Sequence, residues 1–406
     1  MDGRTNENIY KRREMRRLKA AFVLCAVLMI SGPAWTLPYI PTDGAQIIER
    51  LPGRSDPAQQ EFKRLRGELA SADEKLPIAA KLARRYIDES RREGDPRYLG
   101  YAQAVLAPWW NQENPPTDVR VLRATLWQST HQFSKALTDL DAVLKADRNN
   151  AQAWLTRATV LMVQGNYEQA KNSCARLYPL APELITATCL TNVASLNGQG
   201  AKSYALLAAA LKKDADTDSG IKIWVLTLLA EMATRRGDDN AAEAHFHKAL
   251  SLDGTDSYLL GAYADFLLDR QRPSEVVSLL KKHTRVDGLL LRYAIALESL
   301  KSPESAAQTD ILRARFSAAM MRADTVHQRE QSRFELRLLH NPKTALALAK
   351  QNWDVQKEPA DVRVFLEAAV AANDKPAARP VLAWLKQTNL EDRAISALAA
   401  KLGEGN

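Results

Sequence analysis

The chain has 406 residues, with 56 Lys and Arg against 48 Asp and Glu, and only 17 Gly and 18 Pro. Scarce Gly and Pro beside abundant Ala and Leu favour helices, and the lack of a long alternating β-branched run argues against a sheet-based fold. The net charge of +8 falls to +4 once residues 1–34 are set aside, a thin excess over a long surface that argues against nucleic acid as the partner.

Residues 1–34 read as a targeting segment. Lys11-Arg12-Arg13, Arg16, Arg17 and Lys19 lead into an apolar run of 11 residues, 20–30, followed by Gly32-Pro33-Ala34. A membrane-spanning helix needs about 20 apolar residues, so a cleaved signal peptide is the first reading. An uncleaved anchor prolonged by Trp35, Leu37 and Tyr39 is the second. Either leaves the basic end in the cytoplasm and the rest of the chain outside it. Cys25 follows Leu24, where a lipoprotein needs a small residue.

Residues 35–116 read as an extended segment, a capping helix near 56–71, and a helix pair at 76–92 and 98–109 around Gly94-Asp95-Pro96. Trp109 and Trp110 end this stretch. Neighbouring helical residues point in different directions, so the two indoles form either a joint to the following helices or an exposed aromatic patch.

From Thr117 onward, small, apolar and turn residues recur with a period of about 34 residues. In residues 151–182, Trp154, Ala158, Leu161, Gly165, Tyr167, Ala170 and Pro182 stand at positions 4, 8, 11, 15, 17, 20 and 32. This spacing resembles the tetratricopeptide repeat family. The physics fits: positions 8 and 20 meet where two helices cross and must be small, and Gly165 ends the first helix. Ala124 with Ala136, Ala230 with Ala242, Ala264 with Val276, and Ala294 with Ala306 keep the register. Ser302-Pro303 is expected to open the second helix of its repeat. Residues 184–218 form one degenerate repeat, and weaker repeats start near Val326 and Pro359, with Ala345 and Ala378. The resemblance implies an all-α, right-handed superhelical solenoid over residues 117–392, of about eight repeats. A capping helix end and tail complete it at 393–406. The arrangement is also similar to exported or membrane-anchored bacterial proteins of this family.

No constellation supports catalysis. Asp214, Asp216 and Asp218 alternate like the first ligands of a calcium loop, but Ser219 stands at position 6 and Val225 at position 12, where Gly and Glu are required. A solvated turn with Asp218 or Ser219 as a helix cap is the simpler reading. His245 and His247 lie about 200° apart around a helix and cannot share a metal. The run 197–203 departs from a phosphate loop, which needs Gly directly before its Lys, because Ala201 precedes Lys202. Cys174 and Cys189 sit on helices of adjacent repeats and are a candidate disulfide, two buried thiols being the alternative. No cofactor is expected.

The resemblance also implies a ligand groove along positions 2, 5, 9 and 12 of each first helix. Carried over, these are Asp118, Val121, Thr125 and Gln128, then Gln152, Leu155, Thr159 and Met162, then Trp224, Thr227 and Glu231, then Tyr258 and Asp265. The Lys, Asn and Arg by which some family members hold a terminal carboxylate are absent from these positions. The function expected is a non-enzymatic scaffold that binds a protein or peptide, in the periplasm or on the periplasmic face of a bacterial inner membrane. It would be membrane-associated if the N-terminus stays uncleaved. The alternative is a carbohydrate-binding component of an envelope polysaccharide pathway, with Trp109, Trp110, Trp224 and Tyr258 stacking on sugar rings.

Overall fold

A computed structural model of the chain describes residues 56–322 and 325–403, together with Asp43. The targeting segment and the extended stretch after it lie outside the described residues. Residues Pro57–Asn406 form one compact unit, built among the described residues from 20 helices and no strand. None of these helices is long and apolar enough to cross a membrane. An N-terminal helix α1 (Pro57–Ser71) covers the pair α2 (Lys75–Glu93) and α3 (Arg97–Trp110). The next pairs are α4 (Thr117–Ser129) with α5 (Phe133–Ala146), α6 (Ala151–Val163) with α7 (Tyr167–Ala175), α8 (Glu183–Ser195) with α9 (Gly200–Lys213), and α10 (Ser219–Arg236) with α11 (Asp239–Leu250). There follow α12 (Ser257–Asp269) with α13 (Pro273–Leu280), α14 (Asp287–Ser299) with α15 (Ser305–Met321), α16 (Gln328–Arg337) with α17 (Pro342–Val355), and α18 (Pro359–Ala371) with α19 (Lys375–Thr388). Helix α20 (Arg393–Leu402) closes the chain.

The alanines at the crossings are wholly or almost wholly buried: Ala124 and Ala136, Ala158 and Ala170, Ala230 and Ala242. Without bulk there, the two helices of a pair approach closely, and large side chains such as Leu161 and Phe246 fill the space around the crossing. Asn150, Asp238 and Asp256 cap α6, α11 and α12 by accepting backbone N–H groups, which satisfies donors that a helix start leaves open. The stretch 184–218 is an ordinary helix pair despite its divergent sequence.

The turn inside each pair needs one residue with positive φ. Gly165 and Gly237 supply it at 78° and 77°. Other pairs lack the glycine and hold His131, Gln271, Lys301 and Asn373 at 52° to 56° instead. Side chains resist this region, so Lys301→Gly is expected to raise the free energy of unfolding by about 0.5–1 kcal/mol, read from urea denaturation.

One local expectation fails. Helix α15 starts at Ser305, not at Ser302-Pro303, because Pro303 and Glu304 form a separate turn closed by Ser305 N–H on Ser302 C=O at 3.1 Å. The helix is thereby rotated: Ala306 is exposed, while Ser305 is buried and donates to Glu298 Oε2 at 2.6 Å.

Cys174 on α7 and Cys189 on α8 are bonded through their sulfurs across adjacent pairs. Their sequence separation is 15 residues, and a closed loop of that length restricts the unfolded chain by about 3 kcal/mol. Cys189→Ser is therefore expected to lower stability by about that amount, measured against the oxidised parent.

The superhelix is wound so tightly that successive windings touch. Lys357 N–H donates to Val163 C=O at 2.7 Å, and the Trp384 ring lies 6.1 Å from that of Tyr167. Asn389 packs over Gly198, Glu391 accepts the Gly200 N–H at 2.9 Å, and Arg393 lies over Gly237. Earlier in the chain, Ser257 Oγ donates to Arg91 C=O at 2.9 Å and Val286 covers Gly94. The turn edge of each of these pairs thus meets the connecting edge of a pair about five positions later.

Candidate functional site

The touching windings bring charged residues from distant repeats onto a shared inner face. Tyr258, at the start of α12, donates its hydroxyl to Glu231 Oε1 on α10 at 2.7 Å, yet the tyrosine remains 62% exposed. Two turns further along α12, Asp265 is gripped by Arg292 of α14 at 2.5 Å and by Arg333 of α16 at 2.6 Å. Asp269 receives a two-pronged pair from Arg363 of α18, both bonds at 2.6 Å. Arg329 of α16 sits among carboxylates: Glu330 and Glu358 at 3.2 Å each and Asp361 at 3.4 Å. Asp361 is buried and also accepts from Asn352 Nδ2 at 2.9 Å and from the Glu358 N–H at 2.8 Å.

Burial and charge act against each other here, and the outcome differs by residue. Burial alone would raise Asp265, but its two arginines hold it well below the usual carboxylate range. Glu330 is likewise held down to about 2 by Arg329 against the push of burial. Glu358 goes the other way: burial, with Asp361 and Glu231 nearby, raises it to about 7 despite Arg329. Glu231 and Asp361 are raised as well, chiefly by burial.

These shifts fix the sign of the pH dependence. A carboxyl that holds its proton more tightly when folded stabilises the fold below its ordinary value of 4.5, and that contribution disappears as pH rises through about 7. Asp265 and Glu330 contribute the opposite way, and their stabilisation is lost only in acid. The thermal midpoint is therefore expected to fall between pH 5 and pH 8, and to fall less in Glu358→Gln. Equal slopes for the two proteins would remove Glu358 as the cause.

The groove positions inferred from sequence do not form one continuous surface. Glu231, Tyr258 and Asp265 come together on the inner face, as just described. Val121, Thr125 and Thr227 are buried, because neighbouring first helices press on them, and cannot contact a ligand. The two threonines instead bond to Val121 C=O and Ile223 C=O within their own helices. Gln128, Leu155, Thr159 and Met162 are half-buried, and Asp118 and Gln152 are exposed. Trp224 is half-buried against the α9–α10 core. The aromatic set invoked for sugar stacking is dispersed: Trp110 is buried edge-on to Trp127 at 5.3 Å, and Trp109 packs on the α1–α3 core. The joint reading of this indole pair therefore describes its placement. Asp218 accepts the Gly220 N–H at 2.8 Å as the cap of α10. Among the described residues no three His, Cys, Asp or Glu side chains, Asp214 and Asp216 included, are grouped to hold a metal ion. His245 and His247 face apart, one to Tyr204 and the other to Tyr263.

The arginines and acids of α14, α16 and α18 escaped the sequence reading. Arg329 and Arg333 share a helix face at i and i+4, and Glu358 with Asp361 has capping-box spacing, but neither pattern indicates what lies opposite.

No curated protein matches this sequence. Similar solved structures include the human IFIT1 dimer with PPP-AAAA, at 14% identity over 87% of this chain and 86% of that one, TM-score 0.42. Yeast Tom70 is similar at 12% identity over 85% and 78%, TM-score 0.39. A tetratricopeptide repeat protein from Parabacteroides merdae is similar at 12% over 76% and 99%, TM-score 0.36. The family model described as tetratricopeptide repeat matches residues 129–183. The paired-helix geometry of residues 129–183 continues before and after that match, and the described residues form an all-α helical solenoid.

Proposed function

We propose that this chain is a non-enzymatic scaffold that holds a segment of a partner protein against its inner helical face. Repeats of this family generally mediate protein–protein interaction. The observation that carries the reading here is Tyr258: a large aromatic ring, 62% exposed, on an inner face otherwise lined by paired charges. An exposed ring amid such a lining is an unfilled contact of the kind that recognition surfaces use.

The scaffold would act outside the cytoplasm, in the bacterial envelope. Two features support this: the basic, then apolar order of residues 1–34, and the Cys174–Cys189 bond, a linkage that reducing cytosol disfavours. The test is in-cell crosslinking of the tagged chain, followed by fractionation and mass spectrometry. The expected result is recovery from the envelope fraction, with the disulfide intact and an envelope protein attached. Recovery from the cytoplasm with both cysteines reduced would refute the location, and the absence of any crosslinked protein would refute the scaffold.

A further inference from the structure

We infer that the inner face takes a basic side chain, a lysine or arginine of the bound segment, between Glu231 and Tyr258 on one side and Glu358 on the other. This rests on the scaffold reading and names the chemistry of its partner.

Three independent observations converge on that gap. The first is charge. Glu231 on α10 and Glu358 at the start of α18 lie close enough to act on each other, and Glu330 of α16 and the buried Asp361 stand behind Glu358 around Arg329. Arg329 is shared among three of them, and Arg235, which acts on Glu231, also donates to Ser195 Oγ at 3.0 Å. Asp265 consumes Arg292 and Arg333. The second is aromatic. The exposed Tyr258 ring is anchored by its hydroxyl to Glu231, which leaves a face free for a cation beside a carboxylate. The third is an orphan group. Tyr167 is only 5% exposed, and its hydroxyl has no hydrogen-bond partner. Burial raises its pKa to a level that keeps it protonated, and Glu358 and Asp361 are the acids that act on it. A buried hydroxyl left unsatisfied beside carboxylates is costly, and an incoming ammonium or guanidinium group with its retained water would satisfy it. The raised proton affinity of Glu231, Glu358 and Asp361 agrees: the acids on this side have less positive charge around them than their burial demands. Among the described residues no grouping suits a metal ion, and an organic cation is the charge that fits.

The experiment is selection of displayed random peptides, about twelve residues long, on the oxidised full chain. The expected outcome is peptides sharing one Lys or Arg. Replacing that residue by norleucine or citrulline should weaken binding by about tenfold or more, and the Glu231→Gln, Glu358→Gln double variant should lose a similar factor. Tyr258→Ala, a change at an exposed site that leaves the core intact, should weaken binding several-fold. Peptides without a shared basic residue, or equal binding to parent and both variants, would overturn the inference while leaving the scaffold standing. Selection of no peptide at all would bring down both.

Discussion

Phe246→Ala is expected to lower the free energy of unfolding by about 3–5 kcal/mol. Phe246 is 1% exposed on α11, with its ring centroid 5.2 Å from that of Tyr263 and 5.7 Å from that of Phe266. What decides the magnitude is whether those neighbours can move into the vacated space. Tyr263 is tethered through its hydroxyl to His247 at 2.8 Å and Glu243 at 3.2 Å, and Phe266 lies under the Arg270 guanidinium at 5.0 Å. Both rings are held, so the cavity stays open and the loss falls toward the upper end of the range. Urea denaturation followed by far-ultraviolet circular dichroism gives the number. A loss below about 1 kcal/mol would mean that the core around α11 and α12 collapses freely.

Asp361→Ala should cost about 3 kcal/mol, for a different reason. The carboxylate is buried and gathers Asn352 Nδ2, the Glu358 N–H and Arg329. Alanine leaves an amide and a backbone donor without an acceptor and deprives Arg329 of one of its three acids. Asp361→Asn keeps the oxygen that accepts from Asn352 and Arg329 while removing the charge and turning an NH2 toward the Glu358 N–H. Burial already pushes this carboxyl toward its neutral form, so asparagine should recover part of the loss. Equal destabilisation by both substitutions would assign the role of Asp361 to its charge and its bond to the Glu358 N–H instead of its bond to Asn352.

These residues also mark how far the sequence could be read. The helix pairs were legible because their signals are local: Ala158 and Ala170 lie 12 positions apart, and Gly165 falls between them. Where His131, Gln271 or Lys301 takes the glycine's conformation, the signal weakens though the geometry persists. The failure at Ser302-Pro303 is of that kind, since a cap signal and a short turn share the same residues. The site was half legible. Repeat register places Glu231, Tyr258 and Asp265 on the inner face, because that depends on position within one helix. Their partners Arg333 and Arg329 come from α16, and Glu358 from the start of α18. Which of them lies opposite depends on small rotations accumulated over two to four pairs, and no short window of sequence encodes that sum. The burial of Val121 and Thr125 was missed for a related reason: it is set by how closely one first helix leans on the next.

The contacts between windings change what mutation can do to the length of this protein. An open stack of repeats can gain or lose a module by recombination, since each module meets only its immediate neighbours. Here, excising one module between Gly198 and Asn389 would shift every later edge by one place. Glu391 would miss the Gly200 amide and Arg393 would miss Gly237. The number of modules is thereby tied to the pitch of the coil, and in-frame duplications should be tolerated only near the ends.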